Sequence, residues 1–221
     1  MPGPARGSAA LQRFCARPVL DVAPALLGAV LEHRSPRGSV AVRLTEVEAY
    51  DGPGDPGSHA RNGLTPRTAV MFGPPARLYV YFTYGMHWCV NLVCGPAGSA
   101  SAVLLRAGEV VRGHELARLR RPAARADRDL ARGPARLTSA LGIDGALDGA
   151  VLGGARSSSA VRLHLGGQGS GPVRSGARVG VSGPGGDVAR YPWRFWLDGE
   201  PSVSAYRAAV VRRQPPRTGG T

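Results

Sequence analysis

Glu46, Glu48 and Tyr50 alternate along the stretch TEVEAY, and Val40, Val42 and Leu44 precede them at the same spacing. In a β-strand, residues two apart share a face, so this reading ends an apolar face in two carboxylates and a phenol. Burying a carboxylate without a partner is expensive, so the pattern calls for an explanation. Two uses fit it: a solvated strand end whose glutamates pair with arginines, or a general base held in a pocket. His59 follows in the loop DGPGDPGSHARNGLTPR, where a lone histidine is most simply exposed. Asp51, Asp55 and His59 fall at i, i+4 and i+8, but the glycines and prolines between them exclude a shared helical face. We read no metal site there, and no residue requires a cofactor.

A second chemical feature is LYVYFTYGMHWCVNLVC, residues 78–94, with two runs of β-branched and aromatic residues around Tyr84-Gly85. This reads as a β-hairpin with a tyrosine at its tip. A large aromatic at an exposed turn is unfavourable unless something covers it, either a neighbouring loop or a stack of nucleic-acid bases. The charge favours the second cover. The formal net charge is +13, the pI is near 11.1, and all 28 cationic residues are arginine. Such a balance suits a polyanion partner, and arginine's planar fork suits phosphate. GC-rich coding would also favour arginine over lysine. Without lysine, imine chemistry on a lysine amine is excluded, leaving only the N-terminal amine.

These groups must be positioned by one domain of 221 residues, in which glycine and proline make up nearly a quarter of the chain. We expect a disordered lead over 1–10, a folded domain over 11–208 and a flexible tail over 209–221. Cys15, Cys89 and Cys94 read as buried thiols of a reducing compartment. No apolar run is long enough for a signal peptide or membrane span, so a soluble protein is expected, and the arginine bias points to a high-GC bacterium, hence to the cytoplasm with nucleoid association. The elements predicted are a helix N-capped by Asp21 and running to about Glu32, and a strand from Ser39 to Ala49. The hairpin follows, then a short strand over 102–106, a basic helix over 108–121 and a helix opening at Gly133-Pro134. Last come strands over 160–165, 177–181 and 194–197. The order indicates an α+β fold with a mixed, mostly antiparallel sheet.

The segments EVEAYDGPGDPGSHARNGLTPR, MFGPPARLYVYFTYGMHWCVN, VLLRA, GPARLTSALGI and ARVGVSG…PWRFW resemble, in the same order, the alkyladenine (3-methyladenine) DNA glycosylase family of the non-helix-hairpin-helix type. The resemblance implies a single compact domain whose hairpin enters the DNA minor groove, with double-stranded DNA containing damaged purines as partner. It implies that Glu48 is a general base for a water attacking C1′ of a flipped nucleotide. Arg106 and a backbone carbonyl of Val179 would help hold that water. Tyr50, His59 and Tyr81 would sandwich the base, Asn91 would exclude guanine by its 2-amino group, and Tyr84 would intercalate. Arg136 matches a phosphate contact, and Met86 and Arg67 belong to the DNA-binding surface. It implies a monomeric, monofunctional enzyme that leaves an abasic site without nicking the strand.

Three departures stand out. The loop after His59 is one residue shorter than in vertebrate members, His87 replaces a tyrosine, and the stretch 145–176 matches poorly. The rival readings, a lesion binder without turnover or an RNA-binding module, leave Glu48 and Arg106 without a use. One geometric expectation follows from the hairpin itself. If Tyr81 and Asn91 share the pocket face, a two-residue turn gives the wrong parity, so the loop must be odd in length or carry a bulge.

Overall fold

The computed structural model describes residues 6–154, 157–166 and 171–209. One antiparallel sheet dominates it, with strand order β3-β4-β5-β2-β1-β6 and two further short strands, β7 and β8, branching from β2. The strands are β1 (Val30–Ser35), β2 (Gly38–Asp51), β3 (Leu78–Thr83), β4 (His87–Cys94), β5 (Ser101–Arg112), β6 (Val161–His164), β7 (Val173–Gly176) and β8 (Arg194–Leu197). Four helices accompany them: α1 (Arg6–Cys15), α2 (Val19–Ala25), α3 (His114–Arg120) and α4 (Pro134–Leu141). Among the described residues every ladder is antiparallel, and the one parallel pairing is the isolated bridge between Gly153 and Arg162. None of the described helices is long and apolar enough to cross a membrane.

The sheet has two differently used faces. Leu78 and Val80, Val90 and Leu92, and Val103 and Leu105 turn to the main core with Leu137 and Leu141 of α4 and Val22 and Leu26 beside α2. The alternate residues, Tyr79, Val93 and Ala102, build a smaller cluster with Met71 and Ala60 on the other face. Period-two alternation therefore sorts each strand into a packing side and a second side.

The strand carrying the glutamates breaks that alternation. Val40, Val42 and Leu44 lie in the main core, and so do Val47 and Ala49, an odd step further on. The ladder with β5 shifts register between Leu44 and Val47, where Glu46 sits across from Ala107. The same stretch is where β1 stops pairing with β2 and β8 begins, at Glu46 opposite Trp196. This corrects the uninterrupted face read from the sequence. The irregularity turns Glu46, Glu48 and Tyr50 away from the core that Val40, Val42 and Leu44 fill, onto the second side.

Several expected boundaries also move. The helix expected to reach Glu32 ends at Ala25, Gly28 takes a left-handed φ of 84°, and Val30–Glu32 enter β1. A continuous apolar run does not distinguish a helix from a buried strand, and pairing with β2 and β6 decides it. Its cap position is Pro18, with Asp21 inside the first turn. The short strand at 102–106 extends to Arg112, so the basic helix shrinks to α3. Residues 177–181 form no strand, while β7 lies just before them. Helix α1 takes in residues 6–10 of the expected lead, and residues 1–5 and 210–221 lie outside the described residues.

The hairpin β3–β4 has a three-residue loop, with Thr83 paired to His87 and Tyr79 to Asn91. The odd length places Tyr79, Tyr81, Cys89 and Asn91 on one face, as the parity argument required. Tyr84 and Gly85 both adopt left-handed φ, 52° and 66°. Glycine does this freely, whereas tyrosine is held there at a cost of order 1–3 kcal/mol.

Candidate active site

Glu48 lies on the second face of β2 with its side chain 0 % exposed. Three groups hold its carboxylate. The backbone N–H of Val179 donates to Oε1 (2.7 Å), the Tyr50 hydroxyl donates to Oε2 (2.8 Å), and Arg106 Nη1 stands 3.3 Å from Oε1. Burial, followed by the neighbouring negative charge of Glu48, pushes the Tyr50 phenol well above its usual pKa, so it remains a donor. Oε1 is thus engaged twice and Oε2 once, which leaves a lone pair of Oε2 for another donor. The Val179 group seen here is its amide, not the carbonyl that the resemblance implied.

Arg106 is fixed from behind by Glu46. Its Nε donates to Glu46 Oε1 (2.9 Å), which also receives Arg194 Nε (2.7 Å), while Ser204 N–H donates to Glu46 Oε2 (2.7 Å). Burial alone would weaken the Arg106 charge, but Glu48 and Glu46 outweigh it and keep it protonated. The two glutamates therefore do different work. Glu46 is a structural anchor for two arginines, and Glu48 is the carboxylate that, though buried, lies against the neighbouring open space.

That space is a cleft of about 490 Å³ lined by Glu48, Tyr50, His59, Tyr81, Asn91 and Val179, among others. The sequence-predicted Arg106 and Tyr84 border it as well. Its walls are aromatic: His59 meets Tyr81 edge-on at 4.6 Å, and Tyr79 stacks on Tyr81 at 5.4 Å. His59 Nδ1 shares a hydrogen bond with the Tyr79 hydroxyl at 3.1 Å. Although part of this ring stays open to solvent, loss of water around the rest, then the charges of Arg67 and Arg61, lower its pKa to about 4. His59 is accordingly neutral at pH 7. Its ring resonances should titrate with a midpoint near pH 4 in an NMR titration of the folded protein; a midpoint near 6.5 would contradict the packing described. The sign for stability follows from linkage: the unfolded chain takes up a proton as pH falls from about 6.5 towards 4, and folding is weakened over that window.

Asn91 is buried at the cleft wall, and its side-chain amide donates to the Tyr79 carbonyl (3.0 Å). A cleft lined by aromatic rings and bordered by a held carboxylate can take a flat ring against its walls and present a polar group to a bond beside it. Comparison with known proteins assigns the chain to a family. Residues 13–201 match the profile of the methylpurine-DNA glycosylase family. The chain belongs to the methylpurine-DNA glycosylase family.

Relatives in this family are similar over nearly the full length. A protein of Streptomyces avermitilis, provisionally named a 3-methyladenine DNA glycosylase, is 58 % identical over 203 residues, covering 92 % of this chain and 94 % of the relative. Proteins with the same provisional name in Frankia casuarinae and Burkholderia lata are 54 % and 48 % identical, covering 88 % and 96 % of this chain and 91 % and 98 % of theirs. Membership makes the chain a DNA glycosylase, an enzyme that hydrolyses N-glycosidic bonds and takes DNA as its substrate.

Around the glycosylase cleft, the remaining sequence-predicted residues fall in two places. Tyr84 projects from the hairpin tip at 84 % exposure, with Met86 beside it at 65 %. Arg67 lies outside the cleft, its guanidinium 5.4 Å from the Tyr81 ring centre. Arg136 is exposed on α4, in the helix whose first residue, Pro134, borders the cleft.

Sequence reasoning missed three parts. Glu46 stood in the right motif but its anchoring role depends on Arg194 and Ser204, far along the chain. Cys89 is buried as expected, but it also lines the cleft, which the sequence did not indicate, and burial raises its pKa. Arg178, one of 28 arginines, is fully enclosed against Asp55. Only its place in the ARVGV motif sets it apart in the sequence.

Proposed function

We propose that this enzyme removes damaged purines from duplex DNA by a Glu48-activated water and acts without lyase chemistry. The observation that carries this reading is the carboxylate of Glu48, held by Val179, Arg106 and Tyr50 at the floor of an aromatic cleft. The damaged nucleotide rotates out of the stack, because its glycosidic bond is shielded inside the duplex; unstacking costs a few kcal/mol, least for a damaged pair. The hairpin enters the minor groove, and Tyr84 takes the place of the departed base, offsetting part of that cost by stacking. The base slides between Tyr50, His59 and Tyr81, and Asn91 opposes the 2-amino group of guanine.

A water on the free side of Glu48 Oε2 then passes its proton to the carboxylate while its oxygen attacks C1′. The electrons of the C1′–N bond leave with the base. A cationic base such as 3-methyladenine or 7-methylguanine departs neutral, whereas hypoxanthine or ethenoadenine takes a proton from solvent. Positive charge builds on the sugar in the transition state, and the fixed carboxylate stabilises it. Arg136, Arg67 and Met86 meet the DNA surface, with phosphate contacts from the arginines. The enzyme acts as a monomer and needs no cofactor.

The direct test is base release from duplexes carrying single hypoxanthine, ethenoadenine or 7-methylguanine lesions. We expect breaks only after alkali, the mark of an abasic product. Breaks formed before alkali would contradict a monofunctional enzyme. Tyr84→Gly offers a second test. Glycine relieves the left-handed strain, so the melting temperature should hold or rise. Base release from duplex DNA should nevertheless fall at least about tenfold, since the stacking wedge is gone. A variant as active as the parent would remove Tyr84 from the mechanism.

A further inference from the structure

Burying an ion pair completely is costly, and apolar residues in place of the whole pair often serve folding equally well. Arg178 is nevertheless 0 % exposed at its side chain, and its Nε has no partner. Its other nitrogens are spread over four acceptors on three segments. They donate to both carboxylate oxygens of Asp55, to the Ala49 carbonyl (3.0 Å) and to the Gly185 carbonyl (2.8 Å). Ala49 is the residue between Glu48 and Tyr50, and Arg178 itself precedes Val179, whose N–H holds Glu48. The guanidinium carbon Cζ lies 4.6 Å from the Tyr50 ring centre, with the Tyr191 and Trp193 ring centres at 5.6 and 5.3 Å. Asp55 also accepts from Gly57 N–H (2.8 Å), so it fixes the loop that leads to His59.

We propose that Arg178 is the positioning residue of the reaction, setting Tyr50 and the Val179 amide, and through them Glu48. It does not line the cleft: Tyr50 and Val179 do, and Arg178 contacts both from outside it. The space there is already full. A Cβ added at Gly57 would come within 2.4 Å of the Arg178 guanidinium, and one at Gly185 within 2.4 Å of the Gly57 backbone. The inference rests on the reading of Glu48 as the base. A rigid guanidinium fork can hold two carbonyls, a carboxylate and a ring face at once; a lysine ammonium keeps the ion pair but not the plane.

The experiment measures single-turnover base release and DNA affinity on a hypoxanthine duplex, with melting temperatures and with wild type and Glu48→Gln alongside. Arg178→Lys should recover much of the stability lost in Arg178→Met, yet keep a rate at least tenfold below wild type, with DNA affinity within about threefold. Because Arg178→Met strands Asp55 and can fail to fold, Asp55→Asn/Arg178→Gln supplies a neutral pair and should show the same split. A folded Arg178→Lys or double variant with a rate within twofold of wild type would reduce Arg178 to a structural part. An active Glu48→Gln would overturn the Glu48 reading, and the positioning role with it. Inert wild type would do the same, and neither result resembles a slow Arg178 variant.

Discussion

Glu48→Gln should bind lesion-containing duplex as wild type does and release base about 10²- to 10⁴-fold more slowly, the range a positioned general base contributes. The variant is nearly isosteric. Its amide oxygen can still accept the Val179 N–H, and Tyr50 and Arg106 keep their other surroundings, so the fold should survive. What it loses is a site able to take a proton, together with the negative charge facing the sugar. Single-turnover release and binding by fluorescence anisotropy separate the two effects. A rate within a factor of a few of wild type would mean that another group activates the water.

Glu46→Ala should fail differently, by instability. Glu46 is fully enclosed and receives Arg106, Arg194 and two groups of Ser204. Removing it leaves Arg194 without a carboxylate partner and Arg106 with Glu48 alone, and breaking a buried pair costs about 3–5 kcal/mol. For a chain of this length that is a fall in melting temperature of about 6–20 °C. Any remaining folded protein should also be slow, because Arg106 loses the anchor that aims it at Glu48. Thermal unfolding followed by circular dichroism checks the first part. A loss below 1 kcal/mol would show that water reaches this cluster and shields it.

Which parts were legible in the sequence follows from the range of the interactions involved. The hairpin was readable because its strands are local and its parity constraint is arithmetic: Tyr81 and Asn91 can share a face only across an odd loop. Helix α4 was readable from Gly133-Pro134. The extent of β5 was hidden, since Ala107 and Gly108 interrupt the apolar pattern while the ladder with β2 runs on. The irregularity at Glu46 was hidden for the same reason. Alternation predicts which residues share a face until a pairing partner shifts register, and no single-strand pattern announces the shift. The motif residues of the cleft could be named, but not what holds them. Arg178 looks like any other arginine until residues 49, 55 and 185 are brought around it.

The register shift in β2 has a consequence for how this enzyme can change over time. Side chains that secure the fold and side chains that line the cleft hang from the same strands but on opposite sides, with the backbone acting as insulation between them. A substitution at Tyr81 or Asn91 alters the slot while leaving Val80, Val90 and Leu92 packed beneath it. The lining of the cleft can therefore change by small steps without each step threatening the scaffold. Glu46 and Arg178 are the exceptions. They belong to both worlds at once, and they are the positions where a new preference and a stable protein cannot be sought independently.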